Sequence, residues 1–267
     1  ASGTGVIYYW NFNESTVSST TSSITITWGA EGSETVSVTY EDENGCFPVN
    51  PDVITVTVNP LPVPTITGPL TVCETNVEVY ETEAGMSNYA WGVTGGEITL
   101  GQGTASITVT WGEGPAMGSI TVTYMDGNGC YPAEPSMQEV TINDTATLSL
   151  TAESGAADQA ICYNDEIEEI VYEIGGGATG ATVTFDPAAT GLGYVVSGTE
   201  VHIFGSATET VTYEIWTTGT LTPCTEATAT GTITVYPLTY ATLNGLNVVC
   251  AYTTVEYSTY PDMTNYQ

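Results

Sequence analysis

The sequence predicts an all-β protein built from several small sandwich domains, and three observations carry that prediction. Short runs alternate apolar residues with Thr, Ser or Glu, the period-two pattern of strands with one buried face. In a chain of 267 residues, 29 Gly and 13 Pro punctuate these runs, and helix-period patterns are nearly absent. The runs also recur in the same order along the chain. The length suits about two to three domains, and no apolar stretch reaches the roughly 18 residues of a membrane span.

Residues 60–143 hold the main repeat from end to end. After the stiff joint Pro60-Leu61-Pro62 come a Val63–Thr67 run, Val72-Cys73, and the alternating Val77-Glu78-Val79-Tyr80. Asn88-Tyr89-Ala90-Trp91, Ile107–Trp111 and Ile120–Tyr124 follow, then the turn Asp126-Gly127-Asn128-Gly129-Cys130 and the closing Glu139–Asn143 run. Proline sets φ and pushes its neighbour toward extended backbone, so the joint reads as a short spacer.

Residues 1–59 repeat the second half of that unit and lack its first strands. Tyr9-Trp10 answers Ala90-Trp91, Thr25–Trp28 answers Thr108–Trp111, Val36–Tyr40 answers Ile120–Tyr124, and Asn44-Gly45-Cys46 answers Asn128-Gly129-Cys130. Residues 144–236 form a unit of a second subtype. Its expected strands are Ile161-Cys162, Ile170–Tyr172, Ala181–Phe185, Tyr194–Ser197, Glu200–Phe204, Thr210–Thr217 and Thr228–Tyr236, with Cys224 in the turn before the last. Residues 237–267 restart the main repeat: Val249-Cys250 answers Val72-Cys73 and Asn265-Tyr266 answers Asn88-Tyr89. The two end segments read as complementary halves of one repeat, which suggests a window on a longer secreted chain.

Charge narrows the function. There are no Lys or Arg against 31 Asp and Glu, a formal net charge of −31. Without cations the chain has nothing to neutralise phosphate, so nucleic acid is excluded as a partner, and direct membrane insertion is not expected. Side-chain ion pairs are limited to His202, and a trypsin-like protease has no cleavage site. Stability must come from apolar burial, strand ladders and disulfides. Six cysteines beside turns and strand starts, with no Cys-x-x-Cys pair, suit an oxidising extracellular setting better than zinc.

Two stretches carry a resemblance. Tyr9-Trp10-Asn11-Phe12 resembles the Trp-Asp-Phe signature of PKD domains, and the frame Val72-Cys73-Glu74, Asn88-Tyr89-Ala90-Trp91 and Asn128-Gly129-Cys130 resembles the PKD-like repeats of giant Bacteroidota surface adhesins. Cys162, Ala178–Val183 and Ala229–Val235 resemble a companion repeat of those proteins. The second copy departs from the signature at Trp91-Gly92-Val93, so no role of the acidic side chain carries over there. The resemblance implies an immunoglobulin-like β-sandwich per repeat, type IX secretion, cell-surface display, and gliding-motility adhesins as the best-known members. The partners it implies are neighbouring repeats of the same chain and the type IX secretion and motility machinery.

Candidate sites are few. The Asp42-Glu43-Asn44-Gly45 and Asp126-Gly127-Asn128-Gly129 stretches offer oxygen ligands for calcium, but Asn-Gly between alternating runs is foremost a hairpin turn. Asp165–Glu169 is an acidic run that reads as a solvated edge before a cation site. Trp10, Trp28, Trp91 and Trp111 are either core residues or a sugar platform, and the alternation favours core. No cofactor or metal is expected. His202, between Val201 and Ile203, has no nucleophile motif beside it, and the chain reads as non-enzymatic. Asp144-Thr145-Ala146 resembles a Bacteroidota O-glycosylation motif, with Thr145 as the acceptor.

The structural disulfide candidates are Cys46, Cys73, Cys130, Cys162, Cys224 and Cys250. In the immunoglobulin-like topology that the resemblance implies, the turns bearing Cys73 and Cys130 lie at opposite ends of one domain. A strand of about six residues, roughly 20 Å, separates such turns, and a disulfide tolerates only about 4.4–6.8 Å between Cα atoms. The favoured pair is therefore Cys73 with Cys224 across the joint. Cys130 would then pair with the missing cysteine of the first repeat, and Cys162 with one beyond residue 267. The intradomain pairs Cys73–Cys130 and Cys162–Cys224 remain the alternative. The expected function is a structural stalk of an extracellular adhesin, serving surface adhesion and gliding. The competing readings are a carbohydrate- or calcium-binding module, and a filament in which one copy adds strands to another.

Overall fold

A computed structural model describes residues 5–188 and 191–259. Every regular element among them is a strand. The chain divides into two compact units, Ala1–Ile142 and Asn143–Gln267. Asn265-Tyr266, expected to answer Asn88-Tyr89, lies outside the described residues.

In the first unit, β1 (Ile7–Phe12), β2 (Ser15–Ser19), β3 (Gly32–Glu41) and β4 (Asp52–Val58) form one antiparallel sheet in the order β2-β1-β3-β4. The next residues build a two-layer sandwich. One layer is β5 (Thr71–Cys73), β11 (Ser136–Asn143), β10 (Ala116–Met125) and β7 (Ser87–Thr94), in that order; the other is β6 (Val77–Glu81), β9 (Ser106–Trp111) and β8 (Gly96–Leu100). Alternation decides which side chains face inward. On β9, Ile107, Val109 and Trp111 are buried while Thr108 and Thr110 point away, and on β10 Ile120, Val122 and Tyr124 do the same. Val72, Tyr80, Trp91, Val140 and Ile142 complete a core drawn from both layers.

Three details make that core close. The Tyr80 ring meets Trp111 edge-on with centroids 6.0 Å apart, and its hydroxyl donates to Pro69 O at 2.9 Å. Gly68 lies under the same ring: a Cβ there would fall 2.2 Å from Tyr80 Cδ1. Gly118 makes room for the Trp111 ring in the same way, with Cζ3 2.5 Å from where a Cβ would be.

Two expectations are corrected here. Val63–Thr67 is not a strand; only Thr67 pairs, in a bridge with Glu81, because Pro64 removes a ladder donor from the stretch, with Pro62 and Pro69 bounding it. Thr25–Trp28 is also not a strand. Its counterpart β9 is flanked by β6 and β8, whereas β2, which holds the place of β8 in residues 5–59, pairs with β1 instead. A strand pattern without a ladder to join leaves its N–H and C=O groups unpaired.

The second unit is another two-layer sandwich. One sheet orders β12 (Thr147–Leu150), β14 (Ile170–Gly175), β17 (Glu200–Gly205) and β16 (Leu192–Ser197); the other orders β13 (Gln159–Cys162), β19 (Thr228–Tyr236), β18 (Val211–Thr218) and β15 (Gly180–Asp186). β13 joins β19 in parallel, from Gln159↔Ile233 to Cys162↔Tyr236. Ile170, Tyr172, Val201, Ile203, Tyr213, Ile215 and Ile233 fill its core. Tyr213 donates to Ala157 O at 2.9 Å over Gly231, where a Cβ would sit 2.3 Å from the phenolic oxygen. Burial and the neighbouring Tyr172 hydroxyl push the Tyr213 phenol up.

Residues 237–259 form no ladder of their own beyond one bridge, Asn244↔Ser258. They nevertheless repeat the opening of residues 60–81 atom for atom in several places. Tyr257 donates to Leu246 O at 2.8 Å and covers Gly245, where a Cβ would lie 2.2 Å from its Cδ1. Thr253 N donates to Cys250 O at 3.3 Å as Asn76 N does to Cys73 O, also at 3.3 Å. Tyr252 takes φ 65° where Thr75 takes 60°.

Candidate functional site

The two acidic turns are the same turn made twice. Asp42 Oδ1 accepts from Asn44 N at 2.9 Å and Cys46 N at 2.8 Å; Asp126 Oδ1 accepts from Asn128 N at 2.9 Å and Cys130 N at 2.8 Å. Gly45 and Gly129 then turn the chain at φ 81° and 82°, a left-handed conformation that glycine adopts without steric cost. The backbone donor of Cys46 or Cys130 is the largest cause and, with the other donors of the turn, outweighs burial to hold each aspartate below its usual range. These carboxylates are committed to closing turns. Among the described residues, no three His, Cys, Asp or Glu side chains gather as metal ligands would, Asp165–Glu169 included. In that run Ile167 is buried and its N–H donates to Gly205 O at 3.0 Å, while Glu166 bridges to Ser206.

His202 lies on β17 between two carboxylates, with Nδ1 3.1 Å from Glu169 Oε1 and Nε2 3.4 Å from Glu200 Oε2. Glu200, two residues away on the same face of the expected strand, was within reach of sequence reasoning, but Glu169 was not, since it is far off in sequence and β14 pairing brings it alongside. No serine, threonine or cysteine hydroxyl or thiol is hydrogen-bonded to the imidazole among the described contacts.

One carboxylate that sequence reasoning missed is the most strongly shifted. Glu83 accepts from Thr65 Oγ1 at 2.6 Å, Thr65 N at 3.1 Å and Thr82 Oγ1 at 2.8 Å. Burial alone would raise its pKa, but these donors outweigh it and hold the group down at about 2. Its backbone carbonyl accepts from Tyr89 Oη at 2.7 Å. The node ties the opening segment of the complete sandwich to β7, which is structural work.

The tryptophans divide. Trp91 and Trp111 are 5% and 2% exposed, with Trp91 Nε1 donating to Thr104 O at 2.8 Å, so neither offers a face to a sugar. Trp10 and Trp28 are only half-buried. Together with Ile24, Ile26, Val36 and Val56 they line an open cleft of about 490 Å³. Cys46, Cys162 and Cys250 are exposed thiols, Cys130 is a half-buried thiol, and Cys73 and Cys224 are in disulfide form. Thr145 is half-buried.

Among known proteins, residues 59–140 match the family described as the PKD-like domain. No curated protein matches the chain. Solved structures with similar folds include the insect immune protein hemolin, at 11% identity and TM-score 0.43, covering 76% of this chain and 56% of that one. Drosophila N-cadherin EC1-4 is similar at 11% identity and TM-score 0.37, covering 78% and 59%. The fibronectin(III)-like modules of Clostridium thermocellum CbhA are similar at 11% identity and TM-score 0.29, covering 65% and 95%. The chain thus spans little more than half the length of the hemolin and cadherin structures. Residues 59–140 are a PKD-like, immunoglobulin-like domain, set in a chain whose described elements are strands throughout.

Proposed function

We propose that the chain is a structural segment of an extracellular surface adhesin, a stalk that carries load between a cell and what its adhesive region touches. The observation that carries this reading is the succession of two-layer β-sandwiches along the chain, each with its own apolar core, and no basic side chain anywhere. Such domains hold shape through ladders and burial, and a uniformly acidic surface resists aggregation. The sequence resemblance supports the finer reading: surface display through type IX secretion, in service of gliding.

Within that stalk, Cys73 pairs with Cys224 and staples neighbouring domains. Support comes from the oxidation of these two alone, with the other four cysteines as thiols. It also comes from the ends they occupy in their own domains. Thr75 and Asn76, just after Cys73, bond to Gly112 and Trp111, at the end of the sandwich where Ala116 pairs with Ile142. Cys130 lies beyond Met125, at the opposite end of β10. Thr145 is the proposed acceptor of an O-linked glycan.

A non-reducing peptide map, cut at acidic or aromatic residues, tests the staple: a Cys73–Cys224 cross-linked peptide is expected, and any other partner for Cys73 removes it. Deletion of residues 1–267 from the native protein tests the stalk. Cells should keep the adhesin yet present its outer region closer to the surface, and loss of a ligand-binding activity in the purified segment's absence would instead mark a binding module.

A further inference from the structure

We infer that the outer face of the sheet β13-β19-β18-β15 binds an uncharged polysaccharide, with Trp216 at its centre. Trp216 is the fifth tryptophan of the chain. The other four are buried or half-buried, whereas Trp216 is 44% exposed. Tyr213 and Ile215, which alternate with it on β18, point into the core of the second unit, so the strand turns the indole outward. Nothing in that core uses it. A large amphipathic ring held at a surface is the kind of side chain that anchors a ligand or partner.

The ladder register sets what surrounds the indole. Trp216 stands between Thr182 on β15 and Thr228 on β19. In the next outward row Glu214 stands between Thr184 and Thr230, and in the third Thr212 stands between Asp186 and Thr232. From Trp216 to Thr212 is four residues of one strand, about 13 Å. An open groove of about 590 Å³ is lined by the second and third rows and takes in Asp158, whose Oδ1 accepts from Thr232 N at 2.7 Å. Glu214, in the middle of the face, accepts no hydrogen bond from any other described residue.

The chemistry of the face selects the ligand. Its carboxylates only accept hydrogen bonds, its threonine hydroxyls both donate and accept, and the chain has no Lys or Arg to add a cationic donor. The matching ligand brings many hydroxyl donors, together with an apolar C–H face for the indole. A sugar ring has both. A net charge of −31 repels anionic glycans, and it draws a polycation to the acidic surface at large, with no need of this face. What this face adds to that surface is neutral: an exposed indole set among threonine rows. A contact of this kind adds a function to load-bearing along the stalk, and its failure leaves the stalk reading in place.

The test is affinity electrophoresis of the full chain in native gels cast with hydroxyethyl cellulose, laminarin, galactomannan or dextran. Retardation by at least one of them is expected, and calorimetry on that glycan should give an affinity that holds from low to high NaCl. Trp216→Ala should weaken binding about tenfold or more. Thr230→Val keeps the side-chain shape and removes one hydroxyl, and should weaken it roughly two- to tenfold. Both positions face outward, so the denaturation midpoint should not move in either variant. Poly-lysine serves as the contrast: its binding should fade with salt and be equal in Trp216→Ala. Retardation by none of the four glycans, or retardation that both variants keep, overturns the inference. Poly-lysine binding that is lost in Trp216→Ala, with no glycan bound, overturns it too and gives the face to a basic protein. The Cys73–Cys224 staple is read separately by the peptide map.

Discussion

The complete copy at residues 60–143 and the half copy at residues 5–59 carry the same sequence pattern and come out differently. Ile107–Trp111 is a buried strand, while Ile24–Trp28, with the same alternation, is not a strand. Tyr124 is 3% exposed and its counterpart Tyr40 is 45% exposed. Yet the Asp42 and Asp126 turns agree to 0.1 Å or better in each of their carboxylate hydrogen bonds. Local chemistry makes the turns, whereas the strand needs a neighbour on each side and a second layer to bury its face.

Breaking the complete core should show the difference most strongly. Trp111→Ala is expected to destabilise residues 60–143 by about 3–5 kcal/mol, since a fully buried aromatic leaves a cavity; Trp28→Ala should cost well under about 1 kcal/mol. Denaturant titration with amide exchange resolves the two. A comparable loss at Trp28 would mean the half copy already has a closed core.

A second contrast uses two glycines in the same geometry. Gly68→Ala pushes a methyl into the Tyr80 ring, which is enclosed, and overpacking of that kind costs about 1–3 kcal/mol. Gly245→Ala meets Tyr257, which is 51% exposed and free to swing into solvent, so stability should be unaffected.

Acid should then separate the copies. Glu83 is held down from the ordinary glutamate value of 4.5 to about 2, so its contribution is fully present above about pH 4.5 and is lost as pH falls toward 2. With its partial exposure, screening reduces this to roughly 1 kcal/mol. Stability of residues 60–143 measured between pH 5 and 2 should flatten over that interval in Glu83→Gln.

The smallest effects belong to the turns. Asp42→Ala and Asp126→Ala should speed amide exchange of Cys46 and Cys130 by similar factors, while leaving both sheets in place. Unequal factors would mean that the surrounding domain, and not the local turn, sets the closure.

Much of this was legible in the sequence because alternation and turn chemistry are local. β9, β10, β14 and β17 fall where the apolar-polar pattern puts them, and the Asn-Gly turns where their dipeptides do. β2 and β12 were missed because Ser-Thr-Val-Ser-Ser and Thr-Leu-Ser-Leu carry little apolar contrast, and β8 because Gly95 and Gly96 look like loop. Thr25–Trp28 misled in the other direction, since alternation records a face to bury and says nothing of whether the covering strand is present. The Glu83 node and the Glu169 contact of His202 were not readable because Thr65 and Glu169 become neighbours of these residues only through bridge and ladder register.

The repeated turn has one more consequence, for chemical lifetime. Asn-Gly is the dipeptide most prone to deamidation, because the glycine nitrogen reaches back to the asparagine side-chain carbonyl and closes a succinimide. Here those nitrogens are already engaged: Gly45 N donates to Asp42 O at 3.0 Å and Gly129 N to Asp126 O at 3.1 Å. A closed turn therefore slows the ageing reaction that its own sequence invites, and each Asn-to-Asp conversion becomes a record of how long that turn has spent open.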